Sequence, residues 1–94
     1  MIAHLVFEIR LPESGSLKDK RQIIRSLRDR LRKRYNIAVA ETEFQDLWQR
    51  ALIEVVSVSS SRHLLEQMFN RVMDDVEQIA GPDNVFNCVL DFIG

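Results

Sequence analysis

The chain has one cysteine, Cys88, so it forms no internal disulfide and holds no Cys-x-x-Cys ligand pair. Glycine and proline are scarce, at three and two residues, which argues against disorder and low complexity. Neither a G-x-x-x-x-G-K-S/T loop nor a G-x-G-x-x-G loop occurs, so the common nucleotide-phosphate cradles are missing. The two histidines, His4 and His63, lie far apart in sequence, and no His-x-x-x-His spacing accompanies either. That pattern predicts no metal, no cofactor and no Ser-His-Asp or Cys-His catalytic set. No apolar run approaches the ~18 residues of a membrane span. Met1 to Glu8 lacks the basic start and long apolar stretch of a secretory leader. The expected location is the cytoplasm, with no membrane partner. No internal repeat is visible.

What remains is an ordinary globular composition, 46% hydrophobic and 29% charged over 94 residues, which fits a single domain over residues 1–94 with one modest core. Residues 2–11 alternate: Ala3, Leu5, Phe7, Ile9 and Leu11 share one face, while Ile2, His4, Val6, Glu8 and Arg10 share the other. Period two predicts a strand with one buried face, ended by Pro12 and Ser14-Gly15. Ser16 reads as a helix N-cap, with Asp19 three residues on as a carboxylate form of the capping box. Leu17, Ile24, Leu27, Leu31 and Tyr35, with Ile23 at the edge, form an apolar helical stripe over 16–34, and Asn36 is a residue suited to end it.

A second strand is expected from Ile37 towards Glu43, and a third from Trp48 to Ser57 with Ala51, Ile53 and Val55 inward. The serines at 59–61 offer caps for a second amphipathic helix over 61–80, carried by Leu65, Met68, Phe69, Val72, Val76 and Ile79 and stopped by Gly81-Pro82. Val85 to Ile93 reads as the last strand, with Phe86, Cys88, Leu90 and Phe92 on one face and Cys88 buried as a small hydrophobe. The order β-α-β-β-α-β predicts an α+β ferredoxin-like sandwich: a four-stranded antiparallel sheet with two helices on one face. Right-handed crossovers put the first and third strands at its centre. Acylphosphatases share this architecture, but the arginine-bearing loop they use is replaced here by Pro12-Glu13-Ser14-Gly15-Ser16, and no enzyme activity is expected.

The net charge of −1 hides an asymmetry. Nine basic and two acidic residues lie between Lys18 and Arg34, whereas the rest of the chain holds four basic and twelve acidic residues. Lys18, Arg21, Arg25, Arg28 and Arg32 fall within an arc about 80° wide on the flank of the first helix. The four arginines span about 16 Å, enough to meet several phosphates spaced ~3.4 Å apart along one strand. This predicts nucleic-acid contact, with RNA or the ribosome as partner. The alternative is a solvated face neutralised within the domain by Glu66, Asp74, Asp75 and Glu77 of the second helix and by Asp29 of its own. Phe7 points to the core, so an RNP-type aromatic pair on the central strands is not formed.

The open sheet face is expected to carry Ile2, His4, Val6, Glu8, Arg10, Trp48, Arg50, Leu52, Glu54 and Val56. It is too apolar for a wholly wet surface. Trp48, Arg50, Leu52 and Val56 are therefore expected to bind a partner, self-association into a symmetric dimer leading. Glu41 to Arg50 packs acids, amides, an indole and a guanidinium into ten residues. It reads either as a recognition site at the hairpin end or as a turn in which Asp46 bonds local amides and Trp48 covers the core edge.

Ser16-Leu17-Lys18-x-Lys20-Arg21, Asn36-x-Ala38-Val39-Ala40-Glu41 and Gln45-Asp46-Leu47-Trp48-Gln49-Arg50-Ala51 together resemble the YlxP-like family of small bacterial proteins, a domain of unknown function. The resemblance spans nearly the whole chain. Lys18, Lys20, Arg21, Asp46, Trp48 and Arg50 match its pattern, whereas Ile53-Glu54 stands where a glycine is common, a change expected to alter packing or the open face. It implies a ferredoxin-like fold and a bacterial cytoplasmic protein. Members are often encoded beside transcription and translation factors, which implies an RNA or ribosome role. No family activity carries onto these residues.

Overall fold

Strict alternation in Ile2–Arg10 gives the first strand, β1, one buried face, and every other element is arranged around that face. The computed structural model describes residues 1–94. After β1 come α1 (Leu17–Arg34), β2 (Ala38–Glu43), β3 (Arg50–Val58), α2 (Arg62–Ala80), a short 3-10 turn (Pro82–Asn84) and β4 (Val85–Ile93). The sheet order is β2-β3-β1-β4, antiparallel throughout. The expected ferredoxin-like topology, with β1 and β3 central and both helices on one face, is what the chain adopts. Ile24, Leu27 and Leu31 of α1 and Leu65, Phe69, Val72 and Val76 of α2 close over Ala3, Leu5, Phe7, Ile9, Ala51, Ile53 and Val55. Each large side chain buried there contributes roughly 1.5–3 kcal/mol. Neither helix is long and apolar enough to cross a membrane.

Local chemistry sets the helix ends. Ser16 Oγ accepts from Asp19 N at 3.1 Å, and Asp19 Oδ2 accepts from Gly15 N at 3.2 Å, a reciprocal cap displaced by one residue from the usual box. α1 ends at Arg34, as expected, and Tyr35, in extended backbone, takes the capping position one residue before Asn36. Ser61 caps α2 by accepting from Leu64 N at 3.3 Å. Gly81 leaves that helix at φ 89°, a left-handed conformation that suits a residue without Cβ.

Three expectations for the later strands fail for identifiable reasons. β3 begins at Arg50, because the backbone from Phe44 (φ 65°) to Gln49 is occupied by a turn; Trp48 therefore lies in the connection and not in the strand. In β4 the pairing with β1 slips between Val6↔Val89 and Glu8↔Phe86, with Asn87 at φ 54° as the extra residue. This bulge reverses the alternation, so Phe86 reaches the row of Glu8 on the open face, away from Leu90 and Phe92. Cys88, expected to be buried, is exposed beside the bulge on an edge strand. Its thiol is nonetheless held above its ordinary value, by partial desolvation first and by the charge of Glu77 second.

Candidate functional site

The 100° step of α1 that packs Leu27 and Leu31 against the sheet turns Lys18, Arg21, Arg25, Arg28 and Arg32 to its outer flank. Lys18, Arg21, Arg25 and Arg32 are exposed, and Arg28 is half-buried. None meets a carboxylate of α2. Asp75 is taken by Arg34 at 3.0 Å and by the Tyr35 hydroxyl at 2.6 Å, and Glu66 by Arg62 at 2.9 Å. The closest acid to the stripe is Asp29, 4.0 Å from Arg28 Nε, a nitrogen that is shielded from water and lacks an acceptor. No acid of the second helix pairs with the stripe: Asp75 serves the far end of α1, Glu66 serves Arg62 of its own helix, and Asp74 and Glu77 enter no ion pair. Tyr35 titrates above its ordinary 10.0, through burial first and its bond to Asp75 second.

Lys20 is the residue that sequence reasoning missed. It belongs to the basic segment but is 1% exposed. Its ammonium donates to the carbonyls of Phe44 at 2.5 Å and Leu47 at 2.7 Å, and it lies 2.7 Å from Glu41 Oε2. The carboxylate contact is an ion pair off hydrogen-bond alignment. A signal was present: two residues beyond Lys18, Lys20 falls about 200° round the helix, at the middle of the apolar stripe. A lysine at the centre of a buried face calls for buried acceptors, and the β2–β3 connection supplies them.

That connection is pinned at several points. Leu47 N bonds to Phe44 O at 2.9 Å, Leu11 N to Gln49 O at 2.9 Å, and Gln49 Nε2 to the carbonyls of Pro12 and Ser14 at 3.3 and 3.1 Å. Asp46 makes no side-chain bond to local amides, and Trp48 is 54% exposed and does not cover the core edge. The turn reading is thereby corrected: lysine, glutamine and backbone hold the loop, and its acid and indole face outward. Between this loop and the end of the sheet lies an open concavity of about 860 Å³, lined among others by Arg10, Asp46, Trp48, Arg50, Phe86 and Asn87. Arg50 is clamped by both oxygens of Glu8 at 3.0–3.2 Å and rests on the Phe44 ring at 4.1 Å. Arg10 rests on the Phe86 ring at 4.7 Å.

The remaining open face is apolar at the other end. Ile2 is registered with Val58 on one side and Ile93 on the other, all exposed, and Val56 continues the patch, with Val89 beyond His4 and Asp91 on the same face. Leu52 is half-buried in the row of Glu8. Among these side chains His4 Nε2 meets Glu54 Oε1 at 2.7 Å. The Glu54 carboxyl is held below its ordinary value, first by a hydrogen bond from Thr42, then by His4. Of the four residues expected to bind a partner, Val56 is in the patch, Leu52 is at its margin, and Trp48 and Arg50 belong to the groove.

Known proteins agree with this architecture. Among solved structures, the de novo designed protein Foldit4 superposes with a TM-score of 0.56 at 8% identity, over 99% of this chain and 97% of that one. A C-terminal segment of the alpha subunit of aIF2 from Pyrococcus abyssi superposes with a TM-score of 0.55 at 15% identity, over 100% of this chain and 51% of that one. The de novo designed protein LFR1 1 with ferredoxin fold gives 0.52 at 12% identity, over 97% and 81%. At such identities these likenesses speak to fold alone. In sequence, the chain is 34% identical over 73 residues to the uncharacterized protein YlxP of Bacillus subtilis (strain 168), covering 78% of this chain and 79% of that protein. The model of the family described as "Protein of unknown function (DUF503)" matches residues 2–87, and this chain belongs to that family.

Proposed function

We propose that this protein is a non-catalytic RNA-binding factor, acting on structured RNA or on the ribosome, that contacts phosphates through Lys18, Arg21, Arg25, Arg28 and Arg32. The observation that carries this reading is the lack of any carboxylate from α2 on that flank, where Asp75 and Glu66 are committed to Arg34 and Arg62. An arginine without an internal partner keeps its planar donor fork for a phosphate. Arg30 and Lys33, also exposed, add to the potential along the same helix. The test is fluorescence anisotropy with a structured RNA across a salt series. Displacing counterions from five phosphates gives a log–log slope of about −3.5 to −4.5. Replacing Arg21, Arg25 and Arg28 by Gln should shallow it by about three contacts' worth. A slope near zero, or no retention at low salt, sinks the proposal.

A second reading rests on a separate observation. Ile2, Val56, Val58 and Ile93 form an exposed apolar patch on the face that the helices leave open, with Val89 beyond His4 and Asp91 on the same face. A second copy of the chain, related by a two-fold axis, would cover it. The two readings use opposite faces of the sheet and are compatible.

A further inference from the structure

Arg10 and Arg50 are directly opposed across β1 and β3 at the floor of the groove. Like charges so placed repel and cost stability. One carboxylate, Glu8, stands beside them, and Arg50 engages both of its oxygens. Arg10 is left with an aromatic ring beneath it and no acid: it appears in none of the molecule's ion pairs. The ring it rests on, Phe86, reaches this face only because the bulge at Asn87 reverses β4. A guanidinium that rests over a ring and enters no ion pair is a ready-made anion contact.

The wall above it presents the opposite chemistry. Trp48 is 54% exposed and Leu47 45% exposed, on a loop anchored at several points: Lys20 holds two of its carbonyls and Gln49 ties it to the 11–14 segment. An anchored loop that keeps a large flat ring in water at the rim of a groove holding an unpaired cation suits a planar ligand carrying negative charge. The concavity of about 860 Å³ lies in the range of small-molecule sites. A plain carboxylate would leave the indole wet, and an apolar ligand would leave Arg10 unpaired. A nucleotide uses both, its base on an aromatic face and its phosphate on a guanidinium. Asp46 and Asn87 at the rim offer an acceptor and an amide to a base edge.

We infer that this groove binds a nucleotide, with the base stacked on Trp48 and the phosphate held by Arg10. This deepens the RNA reading, since the nucleotide is either one residue of a single-stranded RNA or a free mononucleotide. Lys20 is bonded to Phe44, so the first turns of α1 and this loop lie at the same end of the molecule. A strand leaving a phosphate stripe on α1 would find the groove close by.

Trp48 is the only tryptophan, so its fluorescence reports this site alone. The wild-type protein is titrated with adenosine 5′-monophosphate, with adenosine, with inorganic phosphate and with a 12-nucleotide unstructured RNA. Saturable quenching by both the monophosphate and the oligonucleotide supports a nucleotide site open to free ligand. Quenching by the oligonucleotide alone supports the strand source. In either case Arg10→Ala should weaken binding about tenfold, and Trp48→Ala, read by calorimetry, by about tenfold or more. Both side chains are exposed, and circular dichroism checks that the variants stay folded. Absence of saturable quenching by monophosphate and oligonucleotide, or quenching that Arg10→Ala leaves unchanged, overturns the inference even when structured RNA is still retained through α1. Conversely, quenching that persists in a variant with Arg21, Arg25 and Arg28 replaced by Gln, together with no retention of structured RNA by wild type, overturns the phosphate-stripe proposal and leaves the groove standing.

Discussion

At the scale of single residues, the most consequential group is a charge that behaves as core. Lys20 is surrounded by two carbonyls that accept from its ammonium and by Glu41, which pairs with it through charge alone. Lys20→Met removes the charge but strands Glu41 and both carbonyls. Breaking one side of a buried pair costs about 3–5 kcal/mol, so urea unfolding should lose a large share of the domain's stability. Trp48 emission should also shift as the loop loosens. A loss under 1 kcal/mol would show that the loop is held by its backbone bonds alone. Tyr35, the only tyrosine, offers a spectroscopic check. Its hydroxyl is raised above 10.0 by burial and then by Asp75. A raised phenol favours the neutral form in the fold, so its contribution is intact below pH 10 and is lost as pH climbs through the folded value. Phenolate absorbance should therefore titrate above 10, and Asp75→Asn should bring the midpoint part of the way down, leaving the burial component. A midpoint at or below 10 in the wild type would contradict this.

At the scale of elements, periodicity made helices and strands legible, whereas parity within a strand was legible only up to the first irregularity. β1 and β3 keep uninterrupted alternation, and their inward residues, Ala3 to Ile9 and Ala51 to Val55, are those that the sequence implied. β4 shares the same composition, yet the bulge at Asn87 sends Phe86 to the other face. Asn87 tolerates the left-handed backbone that the bulge needs, but an asparagine within a strand does not by itself say that the pairing slips there. The end of α2 is the opposite case: Gly81-Pro82 specifies it outright. A Cβ at Gly81 would combine φ 89° with an approach of 3.2 Å to Asn84 Nδ2, which itself donates to Ala80 O. Gly81→Ala is expected to destabilise by about 1–3 kcal/mol, measured by thermal or urea denaturation. An unchanged midpoint would mean that this turn relaxes freely.

At the scale of the whole molecule, a single sheet separates two surfaces of different character. The helix side carries the arginine stripe, and the open side carries the groove at one end and the apolar patch at the other. Four strands at ~4.8 Å spacing and about 30 Å long present roughly 600 Å², near the ~800 Å² per partner of a standard interface. Sedimentation equilibrium should then show a species heavier than the 11.0 kDa chain. Val56→Asp or Leu52→Asp should return it to that mass. A strict monomer at high concentration would remove the dimer reading and leave both ligand proposals untouched. The Ile53-Glu54 pair, where a glycine is common in the family resemblance, belongs to this question. Ile53 is buried, while Glu54 pairs with His4 within the patch and keeps it from being wholly apolar.

The element order, the central strands, the inward face of β1 and β3, and the arginine stripe were all legible in the chain before folding. These follow from repeats of two and of 3.6 residues that each segment carries within itself. Only the tertiary structure decided which charges are spent and which are free. Lys20 and Arg34 are neutralised by Glu41 and Asp75, which lie far along the chain, while Arg10 has no acid partner and, of the five stripe residues, only Arg28 has one within 4.0 Å, its own neighbour Asp29. Ion pairing depends on distances between segments, and such distances exist only once the sheet has brought the segments together.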